Sequence, residues 1–263
     1  MTIVASLVVF AYLISSGLFL GVMAGDRKKL SVPGLVALVV GLVFHVVAIA
    51  MVVHQQGAGA LLQIQYGLSL LSLMLGVGFL VLRQIYAFDS FASFVVPLMM
   101  LLQGVAVVAE PDMVVAPEWK GPLLALHIGS ALLGTAAFVL AALTSVFYLI
   151  QDHNLRKKKF GPLFNRLPSV DALDRAHVRL VSVGFPIYTI AIALGGFWAW
   201  DHSASGIQMQ YLFAIVSWLI YAGIIHARLT VGWRGRRAAV LTLVGLVGLG
   251  AVLSTYMARA TLT

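Results

Sequence analysis

The sequence predicts an all-α integral membrane protein with eight transmembrane helices, both termini outside and the basic loops cytoplasmic. Three observations predict it. The 263 residues are 61% hydrophobic and only 10% charged, whereas a soluble domain carries about 25% charged residues. Eight stretches reach the roughly 20 apolar residues a bilayer crossing needs. The positive charges, 17 Lys and Arg against 9 Asp and Glu, sort to one side of those stretches.

The eight stretches are 3–24, 32–54, 61–82, 88–109, 122–150, 181–200, 208–227 and 238–258. Each is apolar well beyond a single stripe, as lipid contact requires. The first has no Lys or Arg before it and Arg27, Lys28 and Lys29 just after it. That is the reverse of a secretory signal peptide, so it reads as a retained helix with its N-terminus outside. The inner loops then hold Arg27 to Lys29, Arg83, Arg156 to Lys159, Arg166, Arg175, Arg179, Arg228, Arg234, Arg236 and Arg237. The outer side keeps only Lys120 and Arg259. The whole chain, 1–263, reads as one transmembrane domain. Its longest link, 151–180, is a basic cytoplasmic loop.

The run Arg156 to Lys159 suits anionic membrane lipid rather than nucleic acid, because it borders a span. It could also dock a cytoplasmic partner. Ser169 is the expected N-cap of a short amphipathic helix, with Asp171 in its first turn. That helix would lie in the inner interface and lead into the sixth span.

Small residues recur every fourth position at Gly17, Gly21 and Gly25, at Ser130 and Gly134, and at Ala137, Ala141 and Ser145. Such rows let helix backbones approach closely. Pro97 and Pro186 fall inside spans and should bend them. Breaks of this kind would suit a small-molecule or ion permease, although no inverted repeat accompanies them.

With no Cys, disulfides, thiolate metal sites and iron–sulfur clusters are excluded. Seven His are the main chemical resource, because ionisable groups at membrane depth are costly. At about 1.5 Å per residue, His45 lies ~20 Å and His127 ~22 Å above the inner face. The two could share a layer. Neutral imidazole ligates haem iron well, and two facing His give a six-coordinate site. Gly129, Ser130 and Gly134 would leave room for a porphyrin beside His127. Lys120, Trp119, Trp198 and Trp200 could meet its propionates. The alternative for His127, His45 and His226 is a hydrogen-bonded structural histidine. His54, His153, His177 and His202 read as solvated or interfacial. There is no paired carboxylate in the membrane, no phosphate loop and no nucleophile beside a base, so the chain does not read as an enzyme.

Two stretches carry a resemblance. One runs from Leu173-Asp174-Arg175 through Arg179-Leu180-Val181 to Gly184-Phe185-Pro186. The other runs from Ser217-Trp218 through Tyr221, His226 and Arg228 to Gly232-Trp233-Arg234-Gly235-Arg236-Arg237. Both resemble the cytochrome c assembly protein family, which includes CcsA and HemX-like proteins. Leu126-His127 resembles the family's outer-side histidine helix. The resemblance implies an eight-helix bacterial inner-membrane protein that holds or hands over haem, b-type and non-covalent, beside other cytochrome c assembly proteins. It implies that His127 is an outer-side haem ligand and His226 the ligand of a second haem. The family's full Trp-rich outer loop is reduced here to Trp198-Ala-Trp200-Asp201. No second outer histidine follows the last span within this sequence, which leaves His45 or His202 to partner His127. These departures point to the HemX-like branch.

Overall fold

A computed structural model describes residues 2–25, 28–86, 88–109, 122–202 and 209–260. Nine α-helices cover most of them: α1 (Thr2–Gly25), α2 (Ser31–Gln56), α3 (Ile64–Tyr86), α4 (Ala92–Val108), α5 (Pro122–Arg156), α6 (Pro162–Arg166), α7 (Val170–His202), α8 (Met209–Thr230) and α9 (Arg236–Ala260). Short 3-10 turns precede α2, α3 and α4. No strand occurs among the described residues. All the helices except α6 are long and apolar enough to cross a membrane. Many of their outward residues are large and apolar, among them Phe10, Val43, Leu101 and Val247. A bilayer is the solvent such surfaces require.

Within the expected transmembrane domain the helices gather into two compact units. Residues 1–117 and 161–168 form one, and 118–160 with 169–263 form the other.

In the first unit, α1 packs on α2 and α4, and α3 packs on α4. Serines stitch these contacts. Ser15 donates to the Gly34 carbonyl at 2.8 Å, Ser93 to Phe19 at 2.8 Å and Ser72 to Met99 at 2.9 Å. Lipid offers no competing donor, so each such bond holds two helices in register. The α1 glycine row serves in part: a Cβ on Gly21 would stand 3.0 Å from the Leu30 side chain. A Cβ on Gly17 would meet nothing, whereas one on Gly41 of α2 would come within 2.8 Å of the Tyr12 ring.

In the second unit, α5 lies along α7, α8 along α9, and α9 also touches α5. Here the predicted small-residue row works as expected. A Cβ on Gly134 would stand 3.1 Å from the Tyr188 backbone, and one on Gly184 would stand 2.8 Å from Ala137. The core between the helices is aromatic. Phe138 stacks on Tyr221 at 3.6 Å and meets Tyr188 edge-on at 5.6 Å. Trp218, the tryptophan at mid-span depth, stacks on Phe185 and donates its indole N–H to Thr189 Oγ1 at 2.9 Å. That bond satisfies its one polar atom.

Two ends differ from expectation. Helix α5 runs past residue 150 to Arg156, supported by an Arg156–Asp152 ion pair at 2.9 Å. Lys158 closes it at φ 52°, and the Lys159 N–H donates to the Asn154 carbonyl at 2.9 Å. The segment 170–180, expected as a separate amphipathic helix, is the continuous start of α7. The Ser169 cap holds: its Oγ accepts from the Ala172 N–H at 3.3 Å. The helix does not break there, because no Gly or Pro falls within 170–181 and the apolar stripe of that stretch is spent on protein. Leu173, Ala176, His177 and Val181 are all buried. Asp171 and Arg175 pair on the outer face.

Candidate functional site

Near the start of α5, His127 reaches across to α7. Its Nδ1 lies 2.8 Å from the Ala191 carbonyl oxygen. A carbonyl can only accept, so Nδ1 carries the proton and donates. In the neutral ring Nε2 then keeps its lone pair. One turn further along α7 is Gly195. A Cβ at that position would stand 2.7 Å from His127 Cε1 and 3.6 Å from Nε2. Glycine is therefore the residue that lets the Nδ1–Cε1 edge of the imidazole come this close to α7. The ring is fixed on one edge by Ala191, bounded by Gly195, and half-exposed overall. It is a pre-oriented imidazole with a free ligating nitrogen, the state in which histidines bind metal.

The other expected site residues fare differently. Lys120 lies outside the described residues. Trp198 and Trp200 belong to the last turns of α7, just beyond Gly195, and their side chains lie outside what is described. His226 is exposed on α8. His45 belongs to the first unit, where it is fully buried. Its Nδ1 is 2.9 Å from the Tyr12 hydroxyl and its Nε2 is 2.8 Å from the Ser69 hydroxyl. A neutral imidazole needs one acceptor and one donor, and two hydroxyls serve either tautomer. Both nitrogens are thus spent on the core, joining α1, α2 and α3, and neither is open to iron in this arrangement.

His177, expected at the interface, is buried as well. Thr242 gives its own proton to the Ala238 carbonyl at 3.0 Å. His177 Nε2 must therefore be the donor in the 2.7 Å bond to Thr242 Oγ1. No cluster of three or more potential metal-ligating side chains occurs among the described residues.

Sequence reasoning missed a latch at the opposite end of the second unit. Asp174 accepts two bonds from Arg228, at 2.9 and 3.3 Å, and one from the Gly235 N–H at 3.1 Å. Arg228 also donates to the Trp233 carbonyl at 3.2 Å. Arg237 sits over the Trp233 ring at 5.6 Å. Gly232 and Gly235 hold φ of 67° and 71°, which other residues rarely adopt. The α8–α9 turn is thereby tied to the start of α7. The signal was present in the sequence, since both motif stretches carry half of this pair. The pair is mostly buried, so removing one partner leaves a charge without its counter-ion. Asp174→Ala should lower the stability of the detergent-purified protein by about 3 kcal/mol, read as an earlier unfolding midpoint. Arg175→Ala, on an exposed pair, should change it by less than about 1 kcal/mol.

Comparison with known proteins gives this geometry a context. The family model for the cytochrome C assembly protein matches residues 3–260. Among curated relatives, the cytochrome c biogenesis protein CcsA of Heterosigma akashiwo is 29% identical over 194 residues, 57% of this chain and 58% of the relative. CcsA of Mesostigma viride is 26% identical over 200 residues, 65% of this chain and 60% of the relative. CcsA of Nostoc punctiforme is 36% identical over 91 residues, 31% of this chain and 24% of the relative. The matches thus span less than two thirds of each of these relatives. No solved structure matches. A match over nearly the whole length, on a chain with eight helices able to span a membrane, is decisive: the chain belongs to the cytochrome c assembly protein family.

Proposed function

We propose that the protein binds haem in the membrane for cytochrome c assembly, holding it or handing it over, with His127 Nε2 as the axial ligand. The observation that carries this reading is the 2.8 Å bond from His127 Nδ1 to the Ala191 carbonyl. It fixes the tautomer, aims the ring and leaves one nitrogen basic, which is what an iron-ligating imidazole needs. Bound haem would supply an iron centre for that nitrogen. The chain's own contribution is orientation. Gly195 makes room for the ring, and the close Gly134–Tyr188 contact holds α5 against α7 beneath it.

With the basic loops in the cytoplasm, the start of α5 lies at the outer leaflet of a bacterial inner membrane. Lys120, Trp198 and Trp200 would then share that end of the second unit and meet the propionates. His226 is retained only as the ligand of a second haem. No reaction is assigned to the chain. Its role is binding, in the manner of the HemX-like branch, beside other assembly proteins and anionic lipid at 151–180. Protein purified in detergent from haem-replete membranes should show a b-type Soret band. Colourless protein would overturn the reading.

Gly195 offers a sharper check. Gly195→Ala forces the His127 ring off its seat, because no real Cβ tolerates a contact of 2.7 Å. Displacing the group that orients a metal-ligating histidine costs about 10- to 100-fold in affinity. Haem titration of Gly195→Ala should show a loss of that size. Gly196→Ala should not, since a Cβ there meets nothing within 4 Å. Equal affinities for the two variants would remove Gly195 from the site.

A further inference from the structure

The turn between α8 and α9 and the first residues of α9 carry Arg234, Arg236 and Arg237, and all three side chains are exposed. Each carboxylate at this end of the second unit already has a partner. Asp152 pairs with Arg156, Asp171 with Arg175 and Asp174 with Arg228. Among the described residues, Arg234, Arg236 and Arg237 make no ion pair. Arg236 and Arg237 also stand in the first turn of α9, where no acidic residue offsets the positive end of the helix dipole. Like charges gathered there repel one another, so an anion beside them would be stabilising.

The backbone beneath these arginines is held fast. The Trp233 N–H donates to the Ala227 carbonyl at 3.1 Å, and the Trp233 carbonyl accepts from Arg228 at 3.2 Å. The Gly235 N–H donates to Asp174 at 3.1 Å. The Arg237 guanidinium lies over the Trp233 ring. A platform fixed in this way loses little freedom when an anion binds. Planar guanidinium groups suit phosphate, which they can meet with two parallel hydrogen bonds.

The residues beside the arginines point to the source of that anion. Val240, Val244 and Val247 follow Arg236 and Arg237 at helical spacing, and all three are exposed. Val247 lies about 15 Å along the helix from Arg237, which is one leaflet of a ~30 Å core. Leu229 and Val231, just before the turn, are exposed as well. A free phosphate or an acidic peptide would meet the arginines only. A phospholipid on this face meets the arginines and the valines together.

We infer that this end of α9 holds one anionic phospholipid, its phosphate among Arg234, Arg236 and Arg237 and one acyl chain along Val240, Val244 and Val247. The basic run Lys157 to Lys159 is not part of this site. The Tyr148 hydroxyl of α5 lies against Gly235. Lys157 comes nine residues later, ~14 Å along the helix direction and beyond the ~8 Å over which exposed charges act strongly. The site uses neither His127 nor its surroundings and does not depend on the haem reading.

The test uses the whole chain in phosphatidylcholine nanodiscs. Each is doped with the same small fraction of a probe lipid bearing a diazirine in its acyl chain, either phosphatidylglycerol or phosphatidylcholine. The phosphatidylglycerol probe should label 240–250 about tenfold more than the phosphatidylcholine probe. Arg234→Gln, Arg236→Gln and Arg237→Gln together should abolish that preference, and Arg236→Gln alone should already lower it severalfold. The triple variant breaks no ion pair and relieves the positive end of α9, so its unfolding midpoint in phosphatidylcholine should not fall. Lys157→Gln, Lys158→Gln and Lys159→Gln together remove as much charge at the same end and should leave most of the preference. Glycerol 3-phosphate, a headgroup without tails, should not compete at millimolar concentration. Equal labelling by the two probes overturns the inference. So does a preference that both triple variants lose equally, which would be the general attraction of a basic surface for anionic lipid. A preference that glycerol 3-phosphate removes overturns it too, and gives the arginines to a soluble phosphate.

Discussion

His127→Gly should yield a folded but haem-depleted protein, and added imidazole should restore its Soret band. The substitution removes the ring and leaves its seat between α5 and Gly195 open. The Ala191 carbonyl remains in place to accept from the N–H of a free imidazole. The loss in haem affinity should reach at least about 100-fold, since the ligand itself goes rather than a group that orients it. Rescue is the informative arm. A histidine that merely filled space would leave colour little changed, and imidazole would then do nothing. The unfolding midpoint should fall only modestly, because the ring is half-exposed and makes one hydrogen bond. A band that persists in His127→Gly but vanishes in His226→Ala would place the haem on α8 instead.

The sequence made the helices legible because lipid imposes one rule along their whole length. A span must be apolar and must satisfy its own backbone. The spans therefore stand where hydropathy puts them. The ends were less legible, for a physical reason. Beyond the apolar core, continuation depends on what the polar turns can reach. Asp152 holds Arg156 at the end of α5, and the 170–181 stripe finds protein to cover it. Neither partner can be inferred from hydropathy.

Site residues divided along the same line. His127 could be singled out from depth and from the glycines near it. What orients it, a backbone carbonyl on α7, has no sequence signature, because every residue carries a carbonyl. His45 was singled out by depth as well. Depth cannot distinguish a ring with a free nitrogen from one with both nitrogens engaged by a tyrosine and a serine 33 and 24 residues away. The Asp174–Arg228 latch was visible as two charges in two motif stretches, but not as a contact.

That difference between the histidines sets the second large effect. His45→Leu should destabilise the protein by about 2–4 kcal/mol while leaving the Soret band of the folded fraction intact. Leucine roughly conserves volume, so the cost is polar and falls on the two hydroxyls left behind. They are not equal. Ser69 sits within α3 and can turn to the carbonyl four residues back. The Tyr12 hydroxyl stands at the end of a rigid ring that is fully buried, with no backbone of its own helix in reach. Most of the loss should therefore belong to Tyr12. Adding Tyr12→Phe to His45→Leu should recover more than half of the lost stability, whereas adding Ser69→Ala should recover little. Removing both sides of a buried polar contact is nearly neutral, while removing one is not. The same double variant decides between the two roles of His45. If His45 ligates iron, His45→Leu with Tyr12→Phe is stable and pale. If His45 is the strut its two hydrogen bonds describe, the variant is stable and coloured, and the spectrum then depends on His127.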